Sequence, residues 1–428
     1  MALLTLQANV DGHWRDMAEL ECPHPELGAD GALNFSYTDE HLARWLAESA
    51  PTAAASVNLP LQWGPTCLRA WPALLDDIRP LGSARSWWQR KLFSGRPIDD
   101  FELLGRGAIA PIGHLRIKEA VPPKTNPPLR FPQRAVVDRE TAFLDYAAEH
   151  GVQVGGATGA GGDSPKLLLR LDADQQVWVD TWQDEPDCRD AHYLVKFARG
   201  QRTPRDKTIL RSEYVYYRAL AALGIDTIST QGMQLIEGEH GPSLWLPRFD
   251  VVRGATGEVR LGVESIYSVV GARPGAWLKH ERVLDALRRV FPAPRFRNVL
   301  LEYLRRDLLN QVFGNTDNHG RNTSLLKSST QVTLAPIYDF APMAMDPEGI
   351  TRTTKWENHE RGGVDWPALL ASFGPDEVFL REGLNALAQK LRPLPQLLAE
   401  EGLPSETLTS PGIGLEHTER KLREWTLL

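Results

Sequence analysis

The sequence predicts an α+β protein: an extra N-terminal subdomain, then a mixed α/β lobe, then a largely helical lobe. Three observations predict it. Strand-like runs and short helical runs alternate up to about Val252, whereas from about Glu264 apolar residues recur at three- and four-residue spacing. The stretch APIGHLRIKEAVPPKTNPPLRFP (110–132) carries prolines that block regular structure and read as a linker. A long helical run then ends at Gly314, passes into a polar loop, and resumes as an apolar segment ending in Tyr338–Asp339–Phe340. The implied divisions are 1–138, 139–252 and 253–428.

Composition sets the outer bounds. At 428 residues, with 42% hydrophobic and 24% charged residues, the chain can bury a large core over two or three domains. A net charge of −7 gives no sign of a nucleic-acid-binding surface, so no direct nucleic-acid contact is expected. Three scattered cysteines, Cys22, Cys67 and Cys188, make neither a disulfide framework nor a zinc site, which fits a reducing cytoplasm. The opening MALLTLQANVDGHW lacks a basic signal-peptide start, and no apolar run is long enough for a membrane span. A cytoplasmic location without membrane contact is the expectation. Six of the thirteen tryptophans fall in the first hundred residues and are assigned to core packing.

Taken in order, TLQANV reads as an opening strand, and GALNFSYTDEHLARWL as a strand followed by a helix starting near Thr38–Asp39. RETAFLDYAAEHG (139–151) is a short amphipathic helix closed by Gly151. Next comes VGGATGAGGDSPKLLLRLD. Its glycines, among them Gly156, Gly159, Gly161 and Gly162 beside Thr158, would let backbone amides approach phosphate oxygens without side-chain clash. It matches neither standard phosphate-loop pattern, and a linker is the competing account. KLLLRLD and QVWVD form a hairpin around Asp172–Gln175, and HYLVKFA is a strand ending at Lys196. ILRSEYVYYRALAAL (209–223) is a helix stopped by Gly224, with Glu213 in its first turn. That glutamate either pairs with Lys196 or sits exposed, favoured by the helix dipole. LWLPRFDVV (244–252) is either a core strand or a connection between lobes, carrying Leu246 and Arg248. HERVLDALRRVF and FRNVLLEYLRRDLLNQVFGN are helices, and the RR and RD pairs of the second are expected on a solvated face.

The chemistry concentrates between Leu308 and Asp339. Asp317 and Asn322 share one polar loop at a D-x-x-x-x-N spacing, and Asp339 follows at the end of the apolar run. Phosphoryl transfer needs such a set: one carboxylate to orient the acceptor hydroxyl, and an amide oxygen with a second carboxylate to hold Mg²⁺ against nucleotide phosphates. A lysine at a strand end, as at Lys196, would neutralise the α- and β-phosphates. By the competing account the loop is an ordinary polar turn. His319, inside the loop, reads as a structural support.

GNTDNHGRNTSLL (314–326) and LAPIYDFAP (334–342) resemble the core of HipA-like serine/threonine kinases, the toxin halves of bacterial toxin–antitoxin pairs. GALNFSYTDEHLAR, SVNLPLQ and DDFELLGRGAIAPIGHLRI resemble the family's N-terminal subdomain more loosely. The resemblance implies a two-lobed protein-kinase-like fold using ATP and Mg²⁺. It implies that Asp317 is the catalytic aspartate, Asn322 and Asp339 the metal ligands, and Lys196 the phosphate-binding lysine paired with Glu213. The Gly-rich loop would cover the phosphates ahead of Pro165–Lys166, and Leu246 and Arg248 would pass beside the adenine. The family's autophosphorylated loop serine falls at Gly159 here, which leaves Thr158 or Ser164 as replacement sites. Implied partners are a small DNA-binding HipB-like antitoxin and a protein substrate from translation, such as an aminoacyl-tRNA synthetase. Two other functions remain open at this point: a nucleotide-binding pseudokinase acting by association, and a small-molecule phosphotransferase.

Overall fold

The computed structural model describes residues 2–48, 50–92, 99–109, 111–121, 129–149, 166–179, 188–254, 257–357 and 363–428. Residues 122–128 of the expected linker and the Gly-rich loop at 150–165, with Gly156, Thr158, Gly159, Gly161, Gly162 and Ser164, lie outside the described residues; the earlier part of that linker instead carries the strand Leu115–Ile117, which pairs with Ala2–Val10.

The N-terminal part is a five-stranded antiparallel sheet in the order Thr66–Leu68, Leu33–Tyr37, His13–Cys22, Ala2–Val10, Leu115–Ile117. Leu33–Tyr37 alternates buried and half-buried residues, as a strand with one covered face must. Leu6, Met17, Leu20 and Phe35 pack against Leu103 and Leu104 of the helix Asp100–Gly107 to form a core of their own. Thr38 caps the helix Asp39–Trp45 by accepting from the His41 N–H, as the sequence predicts. Of the early tryptophans, Trp71 and Trp88 are buried but Trp63 is exposed, so core packing accounts for only some of them.

A six-stranded antiparallel sheet follows, in the order Gln234–Gly238, Gly241–Pro247, Ala191–Phe197, Lys166–Leu171, Gln176–Val179, Phe131–Pro132. The hairpin expected around Asp172–Gln175 is present. Pairing of Lys166–Leu171 with Ala191–Phe197 sets Lys166 directly opposite Lys196. The helix Pro204–Ala222 crosses this sheet, and it starts five residues earlier than the sequence reading placed it. Thr203 and Asp206 form a reciprocal capping box with Pro204 in the first turn, a signature visible in the sequence. Glu213 therefore lies in mid-helix and is buried, and the exposed first-turn alternative is overturned.

The remaining lobe is helical, built on His280–Val290, Ala293–Val312, Glu377–Leu391 and Leu394–Glu400. Its core joins Leu300, Leu304 and Leu308 to Leu380, Leu384 and Leu387, and it continues onto Tyr216, Tyr217 and Leu220 of the Pro204–Ala222 helix. That shared core fixes the helix bearing Glu213 relative to the loop bearing Asp317. Two details differ from expectation. Glu264 lies on a short strand, Gly262–Ser265, paired with Ser324–Lys327, rather than in a helix. Arg306 and Asp307 are buried rather than solvated, because Asp307 receives Trp356 Nε1 at 2.9 Å and the Arg352 guanidinium, while Arg306 bonds Glu302 at 2.9 Å. These bonds tie the segment around 352–356 to the helix that delivers the polar loop.

The N-terminal part docks onto the helical lobe through buried polar contacts. Glu264 receives the Val57 N–H at 3.1 Å and Lys327 Nζ at 3.1 Å, and Lys327 also donates to Ala55 O at 3.0 Å. Gly113 N donates to Asp250 Oδ2 at 2.6 Å, and Asn58 Nδ2 to Ser268 O at 2.9 Å. Paired in this way, buried charges fix one docking geometry, whereas loss of a single partner would strand the other.

Candidate active site

The site lies in a cleft between the six-stranded sheet and the helical lobe. Its apolar walls include Ile112, Leu194, Ile228, Leu246, Val263 and Tyr338, and Arg248 and Asp250 close one side. Arg248 is buried, with its Nε 3.0 Å from Asp250 Oδ1 and its Nη2 2.6 Å from Oδ2. Its guanidinium is thus committed to Asp250 in a two-pronged pair, and that same carboxylate takes Gly113 N.

At the other end of the cleft, Lys196 Nζ donates to Glu213 Oε1 at 2.6 Å and also to Asp339 Oδ1. Lys166 Nζ reaches the second carboxylate oxygen, Oδ2, at 3.1 Å. One carboxylate therefore bridges two ammonium groups placed opposite each other by strand register. Burial alone would depress Lys196, but Asp339 and Glu213 outweigh it and hold its pKa raised. At Lys166 burial wins: its pKa is lowered, with Asp339 opposing and Lys196 adding to the effect. Burial works against ionisation of Asp339, yet the two lysines hold it well below the usual carboxylate range. Two carboxylates, Asp339 and Glu213, thus face two lysines, and of the two ammonium groups burial weighs most on Lys166.

Asp339 has a φ of 52°, the left-handed region that aspartate tolerates better than most residues. Its neighbour Ile337 is held by a backbone bridge to Thr227, and the Phe340 N–H donates to Tyr217 Oη at 3.3 Å. Tyr217 in turn donates to Glu213 Oε1 at 2.9 Å. A continuous hydrogen-bonded chain thus runs from Lys196 through Glu213 and Tyr217 to the backbone just after Asp339.

Asp317 lies in a second, adjoining cavity shared with Lys166, Lys196, Glu213 and Asp339. The loop that presents it folds on itself: Asn322 Nδ2 donates to Asp317 O at 2.6 Å, and Asn315 Oδ1 accepts the Asp317 N–H at 3.3 Å. Asn318 ties the loop to Thr353 and Thr354. His319 Nδ1 accepts the Arg321 N–H at 3.2 Å, its ring stacks on Tyr267, and its Nε2 lies 3.4 Å from Asp317 Oδ1. Burial lowers the His319 pKa, which keeps the ring a neutral support for the loop. Burial likewise raises the Asp317 carboxyl, with His319 opposing, so this aspartate is a better proton acceptor than a solvated one.

The donor set can be tested against a magnesium ion. Donation from Asn322 Nδ2 to Asp317 O fixes the amide orientation, and Oδ1 is left buried with no hydrogen-bond partner among the described residues. An orphaned amide oxygen in a recess shared with the Asp317 carboxyl suits a hard cation. Asp339 would have to share its oxygens between that cation and the two lysines.

The structure thus brings together Lys196, Glu213, Asp317 and Asp339, with Leu246 and Arg248 along the same cleft. Asn322 lines a small recess beside Asp317. Lys166 was quoted in the sequence reading only as the lysine after the Gly-rich loop; its opposition to Lys196 makes it a full member of the cluster. Asp77 and Arg321 also line the cleft, and neither was singled out.

Comparison with known proteins places this geometry. The family model for the HipA-like C-terminal domain matches residues 158–393, more than half of the chain. The chain belongs to that family. Lys166, Lys196, Glu213, Asp317, Asn322 and Asp339 all fall inside the matched residues, so the HipA-like domain carries the whole cluster. HipA of Shewanella oneidensis MR-1, solved with HipB and operator DNA, superposes with a TM-score of 0.64 over 99% of this chain and 96% of that one. At 15% identity this establishes the fold, the kinase-like α+β architecture expected from sequence. The Sinorhizobium fredii protein Y4mE, named as a candidate kinase, is 28% identical over 144 residues. That match covers 32% of this chain and 33% of Y4mE, so the chain spans about a third of the length of this curated relative. Among the described residues no helix is long and apolar enough to cross a membrane.

Proposed function

We propose that this HipA-like chain is an ATP-dependent protein serine/threonine kinase. The observation that carries the reading is the pair Lys166 and Lys196 converging on Asp339 at the polar end of an apolar-walled cleft. Paired ammonium groups at the end of a cleft are suited to take the oxygens of a triphosphate. Leu246 and its neighbours offer the base an apolar slot, and Lys166 and Lys196 take the phosphates. Glu213, braced by Tyr217, holds Lys196 in place. Asn322 and Asp339 are the residues that would hold Mg²⁺. When bound, the ion would supply Lewis-acid neutralisation of the charge that develops on the phosphates. Asp317 orients the acceptor hydroxyl and receives its proton as the acceptor oxygen bonds to the γ-phosphorus, the bond to the β-phosphate oxygen breaks, and ADP leaves. Catalysis on this reading is positioning and charge neutralisation, with no covalent enzyme intermediate.

Family membership and the Shewanella complex with HipB and operator DNA support a small DNA-binding antitoxin as partner. We extend the reading to a cytoplasmic toxin acting on a protein of translation, an aminoacyl-tRNA synthetase among the candidates. Transfer of labelled γ-phosphate from Mg-ATP, with wild type beside Asp317→Asn and each incubated alone and in host lysate, tests it. Label entering a protein band in wild type and lost by about 10²–10⁴-fold in the variant is the expected result. ATP bound without transfer from either form would refute the kinase reading in favour of regulation by association. Label confined to a metabolite would refute the protein acceptor.

A further inference from the structure

Asp77 lies outside the family-matched residues, on the N-terminal subdomain, yet it lines the central cleft together with Ile112 of the same subdomain. It sits in the short helix Leu74–Ile78, and it is held by two contacts across the domain boundary. Its Oδ2 accepts the Ser265 N–H at 2.9 Å, and its Oδ1 lies 3.9 Å from Arg321 Nε. Arg321 is only 2% exposed. Its Nη2 donates to Asp76 O at 2.6 Å, so the guanidinium is fixed, but its Nε and Nη1 are buried without hydrogen-bond partners among the described residues. Burying unsatisfied guanidinium donors is costly, and here they border an open cleft. Asp76, the other carboxylate nearby, is already engaged by Arg79 at 2.7 Å and Arg273 at 3.3 Å. Burial pushes the Asp77 carboxyl up to about 6, with Arg321 the main opposing influence, so it is ionised at neutral pH.

The cleft that Lys166 and Lys196 also line therefore presents an acceptor-only carboxylate beside a donor-only guanidinium. A phosphate would satisfy Arg321 and be repelled by Asp77; an amino group would satisfy Asp77 and leave Arg321 unmet. A hydroxyl donates and accepts at once, so a pair of neighbouring hydroxyls meets both. A ribonucleotide carries such a pair between the base, at the Leu246 side, and the phosphates, at the lysine side. Resting on the nucleotide reading above, we propose that the N-terminal subdomain completes the nucleotide site and that Asp77 and Arg321 together bind the ribose 2′- and 3′-hydroxyls.

Equilibrium binding of ATP, 2′-deoxy-ATP and 3′-deoxy-ATP to the full chain tests this, with wild type beside Asp77→Asn, which keeps an acceptor for the Ser265 N–H. Wild type should bind ATP about ten- to a hundredfold tighter than at least one deoxy analogue, the loss expected for a hydrogen bond to a charged group. In Asp77→Asn that ratio should shrink to within about threefold, mainly through weaker ATP binding. Equal binding of all three ligands by wild type overturns the proposal, as does an equal loss for all three in the variant, which would mark Asp77 as a docking residue only. Should Asp77→Asn not fold, Asp77→Ser and the wild-type comparison still decide. A wild type that binds no ATP at all overturns the nucleotide reading itself, an outcome distinct from ATP bound without ribose discrimination.

Discussion

Replacing Glu213 by glutamine separates charge from shape at the centre of the cluster. The amide that replaces the carboxylate retains an oxygen for Lys196 Nζ, 2.6 Å away in the native chain, and for the Tyr217 hydroxyl at 2.9 Å. Only the negative charge is lost. A hydrogen bond to a charged acceptor stabilises by roughly 1.5–3 kcal/mol and a neutral one by roughly 1, so Lys196 loses about 0.5–2 kcal/mol of stabilisation. Its remaining partner is Asp339, which must then hold both lysines more tightly. Any cation drawing on Asp339 has to compete with them. The magnesium concentration for half-maximal phosphoryl transfer should therefore rise by about 2- to 30-fold at saturating ATP, with the melting temperature little changed. Magnesium titrations of γ-phosphate transfer, wild type against Glu213→Gln, read this directly. A fall in turnover with no shift in the magnesium midpoint would refute the argument, since it would mean that Glu213 acts by position and not by sparing Asp339.

Other outcomes follow from individual contacts. Lys166→Met removes a buried cation that Asp339 must otherwise share, so ATP affinity should fall at least about tenfold while thermal stability holds or rises; ATP binding within about twofold of wild type would contradict it. Gly320→Ala puts a Cβ within 2.8 Å of the Tyr267 ring beneath the Asp317 loop. Overpacking of about 1–3 kcal/mol should appear as a lowered melting temperature together with lost transfer, and an unchanged melting temperature would show that the ring yields. His114 is buried, its Nε2 donates to Thr52 O at 3.0 Å, and burial, followed by Lys327, lowers its pKa from 6.5 to about 3. Its folded pKa lies below the unfolded one, so its contribution is complete above about pH 6.5 and is lost as pH falls towards 3. Between pH 7 and pH 5 this single group should remove about 2 kcal/mol from urea-measured stability, and His114→Gln should flatten that limb.

What the sequence determined by itself is local. Period-two alternation marked Leu33–Tyr37, Thr38 marked the helix start, and the D-x-x-x-x-N spacing put Asp317 and Asn322 in one loop. The Thr203–Asp206 capping box was equally legible, and overlooking it put Glu213 in the wrong turn. Tertiary structure decided what depends on elements far apart in the chain. Arg306 and Asp307 look like a solvated face until Arg352 and Trp356 fold over them. Lys166 acquires its role from strand register against Lys196 and from Asp339, 173 residues away. Asp77 reaches the cleft only because a separate subdomain docks through Glu264, Lys327 and Ser265. Periodicity and capping are written in neighbouring residues, whereas the electrostatics of a buried site are set by which distant charges share one low-dielectric space.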